Sequence, residues 1–135
     1  MKKVLFALAM IGVFAATSMA ADVYGVKARV PFDFAVAGKQ LPAGVYTIER
    51  QGTPGMLMLR DAAGHVKTMF QTSPVYINGN AHSPMLVFNK YGDRYFLATI
   101  WPASNTGARL NRTKIERELV AAAPMEQVMV AAIYR

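Results

Sequence analysis

The 135-residue chain contains no cysteine, and this absence removes several classes of structure and function at once. Without thiols there is no disulfide framework, no cysteine nucleophile and no cysteine to carry a lipid anchor behind a secretory signal. Stability must therefore come from side-chain packing, for which a hydrophobic content of 53% is adequate.

Catalytic groups are also scarce. The chain has two histidines, His65 and His82, and no serine lies in a G-x-S-x-G nucleophile elbow. Neither of the standard glycine-rich phosphate-binding patterns is present. Ser83 beside His82 and Asp33 on a predicted strand are candidate chemical groups, but solvated roles are commoner for both. We therefore predict a protein that is not an enzyme and needs no cofactor.

Acidic residues number 8 against 15 basic ones, and the acidic residues are dispersed. No two of them have the placement across a cleft that glycoside hydrolysis requires. A basic cluster near the C-terminal end of the chain consists of Arg109, Arg112, Lys114 and Arg117. Glu116 and Glu118 interrupt this cluster, which is typical of a solvated helix face.

The N-terminal segment has the features of a cleavable bacterial secretory signal. Lys2 and Lys3 precede an apolar run over residues 4–16, and small residues at positions 18 and 20 match a signal-peptidase site. A membrane-spanning helix would need about 20 apolar residues. We predict cleavage between Ala20 and Ala21, which leaves a single mature domain, residues 21–135, without a transmembrane anchor. The expected location is the periplasm or the extracellular space, where nucleic acid is not expected as a partner.

Alternation of apolar and polar residues predicts about seven strands. The first covers residues 26–36, with Pro31 forcing an edge position or a bulge. Turns are predicted at 38–44, 52–55, 61–64 and 91–93, and a loop at 102–110. The other predicted strands are residues 45–50, 56–60, 65–72, 85–90, 94–101 and 127–134.

After the predicted loop, the spacing of the apolar residues changes from strand-like alternation to a helical period. Thr113 and Glu116 fit a capping box, while Ile115, Leu119 and Ala122 share one helical stripe. This pattern predicts a helix of about ten residues whose apolar stripe covers the sheet. One late helix among short strands predicts a mostly β domain, either a small antiparallel β-barrel or a two-sheet β-sandwich. Pairing of the first and last strands would favour the barrel.

The hairpin at residues 56–72 carries several methionines. If Asp61 faces Gly64 across the turn, Met56 lies opposite Met69 and Met58 opposite Lys67. Thioether and imidazole groups are ligands that Cu(I) prefers. The candidate copper ligands are Met56, Met58, His65 and Met69. Packing in a core or against a partner is the commoner role of methionine, and the neighbouring positive charges oppose a metal, so no metal site is predicted.

Five aromatic residues are predicted to lie in the interior of the barrel: Phe32, Phe34, Phe88, Tyr95 and Trp101. There they either line a ligand site or fill the space, and small barrels are often filled. A connected cavity in the interior would distinguish the two arrangements.

Four segments in matching order resemble a family of small exported bacterial β-domain proteins that is itself uncharacterised. The segments are Val30-Pro31-Phe32-Asp33-Phe34, Leu41-Pro42-Ala43-Gly44-x-Tyr46, Leu86-Val87-Phe88-x-Lys90-Tyr91-Gly92-Asp93-x-Tyr95-Phe96-Leu97 and Glu116-Arg117-Glu118-Leu119. The resemblance implies a shared β fold and an extracytoplasmic location, but no activity and no site residue.

The scarcity of catalytic groups and the strands that are apolar on both faces lead to a functional expectation. We expect an exported domain that binds a partner or a small apolar ligand. The partner is expected to be an envelope protein or a polysaccharide. The alternative is a structural or assembly protein of the envelope that self-associates through its edges.

Overall fold

The computed structural model describes residues 25–79 and 83–134. The predicted signal with its cleavage site at Ala20 and Ala21 lies outside the described residues, as does His82. In chain order the elements are β1 (Gly25–Val30), β2 (Phe34–Val36), β3 (Lys39–Leu41), β4 (Gly44–Arg50), β5 (Met56–Arg60), β6 (Val66–Tyr76), β7 (Met85–Tyr91), β8 (Arg94–Trp101), β9 (Thr106–Leu110), α1 (Lys114–Ala122) and β10 (Glu126–Tyr134).

Eight of these strands close into an antiparallel barrel. Around the barrel the order is β1, β4, β5, β6, β9, β8, β7 and β10. The ring closes because β10 pairs with β1, with Ala132 opposite Ala28. Pairing of the first and last barrel strands was the feature expected to favour a barrel over a sandwich, and the small antiparallel barrel is confirmed.

The predicted first strand is divided in two at Pro31. Proline has no N–H to donate to a ladder, and the chain leaves the barrel after Val30. It then forms the short β2–β3 hairpin, whose turn residues Ala37 and Gly38 have φ values of 49° and 85°. This hairpin joins the barrel through a single parallel pair, Ala35 with Phe96.

The prediction of a loop at 102–110 is wrong over the second half of that range. Residues 106–110 form β9, which pairs with both β6 and β8 and thereby closes the barrel between them. With β3 and β9 added and the first strand divided, the described part of the chain has ten strands rather than seven. Of the polar residues that are typical of a loop, Ser104 and Asn105 lie in the connection before β9, whereas Thr106 begins the strand.

The register of the β5–β6 hairpin also differs from the prediction. Leu59 pairs with Thr68 and Met58 with Met69, whereas Arg60 pairs with Val66, so a bulge lies beside Arg60. The expected register placed Val66 opposite Leu59. The bulge and the longer turn move β6 by two residues. Leu57, Leu59 and Phe70 remain buried, whereas Val66 is 47% exposed.

The helix α1 begins where the capping box predicted, with the Thr113 hydroxyl accepting a hydrogen bond from the Glu116 N–H at 3.3 Å. The prediction that the apolar stripe of this helix faces the sheet is wrong. Ile115 is 48% exposed, whereas Glu116 is buried. The reason is that α1 lies against polar side chains on the outer face of β7 rather than against an apolar surface.

The core lies inside the barrel. Alternate residues of each strand face inward, and the largest side chains that are almost fully buried are Phe34, Ile48, Leu59, Leu86, Phe88 and Ile100. An eight-stranded barrel is just wide enough to be filled by side chains or to hold one small ligand. The position of the aromatic side chains decides how much of this interior is filled.

Candidate functional site: the barrel mouth

Aromatic side chains fill one end of the barrel. Phe34 and Phe88 are buried with their rings 5.3 Å apart, edge to face. Phe32 stacks on Tyr95 at 3.8 Å between ring centroids and meets Phe88 edge-on at 5.0 Å. Tyr46 packs edge-on against Phe34 and donates its hydroxyl to the Pro42 carbonyl at 2.6 Å. Four of the five aromatic residues that were expected in the interior therefore form one packed cluster.

Trp101, the fifth, does not belong to this interior cluster. It pairs with Met85, next to the inward-facing pair of Leu86 with Ile100, so its side chain is on the outer face of the barrel. Its ring lies over Gly107, where an added Cβ would be 2.7 Å from the Trp101 Cε3. Trp101 is buried, as expected of a core residue, but it lies outside the barrel interior because the bulge at Ala98 places it on the opposite face of β8 from Tyr95 and Leu97.

A cavity of about 610 Å³ lies at one mouth of the barrel. Its walls come from β5, β6 and β9, together with the loops before β5 and before β9. Apolar walls are supplied by Pro54, Leu57, Pro74, Pro102, Gly107 and Ala108, with hydroxyl groups from Thr72, Ser104 and Thr106. Arg50 is the single charged residue of this lining. Such a lining suits a mostly apolar ligand that carries a few polar atoms.

The loop before β5 is held firmly at the cavity. The Gly55 carbonyl accepts hydrogen bonds from both the N–H and the hydroxyl of Thr72, each at 2.8 Å. Gly55 has a φ of 80°, and a Cβ there would lie 2.8 Å from the Thr72 carbonyl oxygen. Only glycine permits this close approach, so one wall of the cavity is formed before any ligand arrives.

The loop before β9 is likewise fixed. The Ile77 N–H donates to the Asn105 carbonyl at 3.1 Å, and the Asn105 side-chain amide donates to the Gly79 carbonyl at 2.9 Å. The Ser104 hydroxyl donates to the Thr106 carbonyl at 3.0 Å. A preformed site loses less conformational entropy on binding, which favours affinity.

The carboxylates singled out in the sequence have local structural roles. Asp33 accepts the Ala43 N–H at 2.9 Å. Asp61 accepts the N–H groups of Ala63 and His65, and the hydrogen bond from the His65 N–H is the main cause of its lowered pKa. Neither aspartate lines the mouth cavity. Ser83 is exposed, and its neighbour His82 lies outside the described residues.

The four candidate copper ligands are distributed along the β5–β6 hairpin. Met58 lies opposite Met69, and Met56 lies opposite Gln71 instead of Met69 as expected. His65 is at the turn, where its Nδ1 lies 3.6 Å from the Asp61 carboxylate. Across residues 25–79 and 83–134, no group of three or more His, Asp or Glu side chains has a metal-binding arrangement.

A buried polar cluster that the sequence did not predict lies beneath α1. The Glu116 carboxylate accepts hydrogen bonds from the Tyr91 hydroxyl at 2.8 Å and the Asn89 amide at 3.0 Å. The Arg112 guanidinium lies 3.5 Å from the same oxygen. Burial, and then the hydrogen bond to Glu116, raise the pKa of Tyr91 to about 12. Tyr91 therefore stays protonated and acts as a donor to Glu116 at neutral pH.

Comparison with known proteins gives no matching family model, no similar curated protein and no similar solved structure. Over the part of the chain that the structure describes, no helix has the length and apolar character needed to cross a membrane.

Proposed function

We propose that the protein is an exported, non-enzymatic binding domain whose barrel mouth holds a small, mostly apolar ligand. The observation that carries this proposal is the cavity of about 610 Å³, which is within the size range of small-molecule sites. None of the residues of the aromatic cluster around Phe34 lines this cavity, so the cluster leaves its space open to a ligand.

The chemistry of the walls supports binding rather than catalysis. The lining offers prolines, a leucine, an alanine and glycines. Of its three hydroxyl groups, that of Thr106 is left to orient a ligand as a donor, because those of Thr72 and Ser104 donate to backbone carbonyls. No carboxylate or histidine is among the lining residues described. A general acid or base positioned on the ligand would therefore have to come from elsewhere in the chain.

Self-association in the cell envelope is the second candidate. Barrel closure pairs the edges of β1 and β10 with each other, so association through these edges is not the favoured route. The outer face of β10 instead exposes Met129, which is 65% accessible, and Ile133, which is 63% accessible. An exposed apolar stripe of this kind is typical of an interaction surface.

Native mass spectrometry of the protein purified from its own host tests these proposals together. We expect a monomer with the mass of residues 21–135 plus a retained small molecule. A dimer without a small molecule would favour self-association through β10. A bare monomer that binds neither an apolar probe nor a second copy would contradict both, and a mass that includes residues 1–20 would contradict signal cleavage.

The Ala108→Leu variant tests the mouth directly. Ala108 faces inward and lines the cavity, so a larger side chain there reduces the space for a ligand. We expect the affinity for N-phenyl-1-naphthylamine, a neutral apolar fluorescent probe, to fall about tenfold or more. Fluorescence titration measures this affinity, and circular dichroism confirms that the variant is folded.

Ala121→Leu provides the matched control, because Ala121 is exposed on α1 and does not line the cavity. Its affinity for the probe should equal that of the unaltered protein. Equal affinities for all three proteins would show that the probe binds elsewhere and would overturn the assignment of the mouth.

A further inference from the structure

A second groove lies on the outer face of the barrel, under α1, and it is distinct from the mouth cavity. It has a volume of about 810 Å³ and runs between β6, β8 and β9 on one side and the N-terminal part of α1 on the other. The residues that matter for binding are Ser73, Thr99, Arg109, Arg112, Glu116 and Arg117.

Three neighbouring strands present a row of polar side chains on the floor of this groove. Arg109 on β9 lies opposite Ser73 on β6 and opposite Thr99 on β8. Residues that are directly opposite on adjacent antiparallel strands have their side chains on the same face. A guanidinium group is thus flanked by two hydroxyl groups, all of which line the groove.

The charge of the groove is unbalanced. Three arginines and one glutamate line it, a formal excess of two positive charges. The glutamate, Glu116, is buried and already accepts hydrogen bonds from Tyr91 and Asn89, with Arg112 beside it. Within residues 25–79 and 83–134, neither Arg109 nor Arg117 forms an ion pair.

We propose that this groove binds a soluble ligand through an oxyanion, either the carboxylate of an acidic sugar or a phosphate group. Arg109 and Arg117 would pair with the anion, and the hydroxyls of Ser73 and Thr99 would donate further hydrogen bonds. Planar guanidinium groups recognise carboxylate and phosphate with two parallel hydrogen bonds, which gives specificity as well as affinity. The concave shape under α1 admits a small ligand or a single polymer strand.

The buried Glu116 cluster has a positioning role in this proposal. It holds Arg112 at the groove and ties the N-terminal part of α1 to β7, so that Arg117 on α1 and Arg109 on β9 line the same groove. The carboxylate is already bound by Tyr91 and Asn89, with Arg112 beside it, and among the described residues it forms no ion pair with Arg109 or Arg117. The groove therefore keeps its positive character despite containing an acidic residue.

Isothermal titration calorimetry with two anionic probes tests the proposal on the full mature protein. The probes are trigalacturonate and inorganic phosphate, and the methyl ester of trigalacturonate is the neutral control. We expect at least one anion to bind and the ester not to bind. Binding of trigalacturonate alone identifies an acidic sugar as the source of the oxyanion, and binding of phosphate alone identifies a phosphorylated ligand.

The variants Arg109→Gln and Arg117→Gln locate the binding site. Each removes one unpaired charge from an exposed side chain, and we expect each to weaken binding of the anion about tenfold. Arg29→Gln is the matched control, since Arg29 is exposed on the outer face of β1, outside the groove. Its affinity for the anion should be unchanged.

Absence of binding by both anions would overturn the proposal. So would equal weakening by Arg29→Gln, because that result would indicate attraction to the net positive charge alone. The naphthylamine titration on Arg109→Gln separates this inference from the proposed function. Unchanged binding of the apolar probe together with lost anion binding shows two separate sites, and either site can fail without the other.

Discussion

Glu116 determines how α1 packs on the barrel, and the sequence pattern reveals only part of its role. Its position in the capping box was predictable, because Thr113-x-x-Glu116 is a local pattern that depends only on chain geometry. Its burial was not, since that depends on Asn89 and Tyr91, which lie 27 and 25 residues earlier in the chain. An apolar stripe containing Ile115 was the ordinary expectation for such a helix.

The Tyr91 hydroxyl gives the Glu116 cluster a dependence on pH. Its pKa in the folded protein is about 12, above the ordinary value of 10.0, because of burial first and the Glu116 hydrogen bond second. A raised pKa means that the folded state favours the protonated phenol. Its contribution to the free energy of unfolding is therefore intact below pH 10 and is lost as the pH rises through about 12.

Glu116→Ala should destabilise the protein markedly. It leaves the Tyr91 hydroxyl and the Asn89 amide buried without their acceptor, and each unpaired buried group costs about 1–3 kcal/mol. Glu118→Ala is the matched control, because Glu118 is exposed on the same helix, and it should change stability by less than about 0.5 kcal/mol. Urea unfolding measures both, and equal effects of the two variants would contradict a structural role for the cluster.

At the scale of the elements, a clear turn residue located a strand end better than alternation did, because the alternating segment 26–36 is divided in two. The strand predicted at residues 94–101 is β8, because its apolar faces are unbroken and Gly92, with a φ of 60°, marks the preceding turn. The bulge in the β5–β6 hairpin was not predictable, because an inserted residue followed by restored alternation leaves no trace in the pattern. The candidate copper ligands changed partners for that reason.

The β8–β9 contact explains why β9 was mistaken for a loop. Gly107 is the second residue of the five-residue strand β9, and glycine is ordinarily unfavourable in a strand. The Trp101 ring occupies the space that a side chain would take and covers the exposed backbone. Glycine is therefore required at this position by packing against the neighbouring strand.

Gly107→Ala should destabilise this contact. The added methyl group would lie 2.7 Å from the rigid Trp101 ring, so either the ring or β9 must move. We expect a loss of about 1–3 kcal/mol, the usual cost of overpacking, and an altered emission from the single tryptophan of the chain. Gly52→Ala is the control, because nothing lies within 4 Å of its added Cβ. Unchanged emission from Gly107→Ala would contradict the packing described.

At the scale of the whole molecule, the fold class was predictable and the two binding surfaces were not. Strand spacing, one late helix and a long strand at each end of the mature chain predicted a small barrel, and the barrel is confirmed. The mouth cavity joins residues as distant as Arg50 and Ala108, and the outer groove joins Ser73 to Gln127. Periodicity shows which face of a strand is apolar, but not which strands become neighbours.

Closure by β10 makes the stability of the barrel depend on a contact between the two ends of the domain. The Ala132 N–H donates to the Pro84 carbonyl at 3.0 Å, and Ala132 also pairs with Ala28 of β1. Ala132→Pro removes this donor from a strand that has neighbours on both sides, a position that proline does not tolerate. We expect a loss of more than about 1 kcal/mol in the free energy of unfolding.

Hydrogen exchange distinguishes cooperative closure from local fraying of β10. Because β1 and β7 each lose part of their pairing when β10 loosens, amides of all three strands should exchange faster in Ala132→Pro. Ala62→Pro is the matched control, since Ala62 lies in the Asp61–Gly64 turn, where proline is compatible with the backbone. Faster exchange confined to β10, with β1 and β7 as protected as in the control, would show that the barrel does not depend on its last strand.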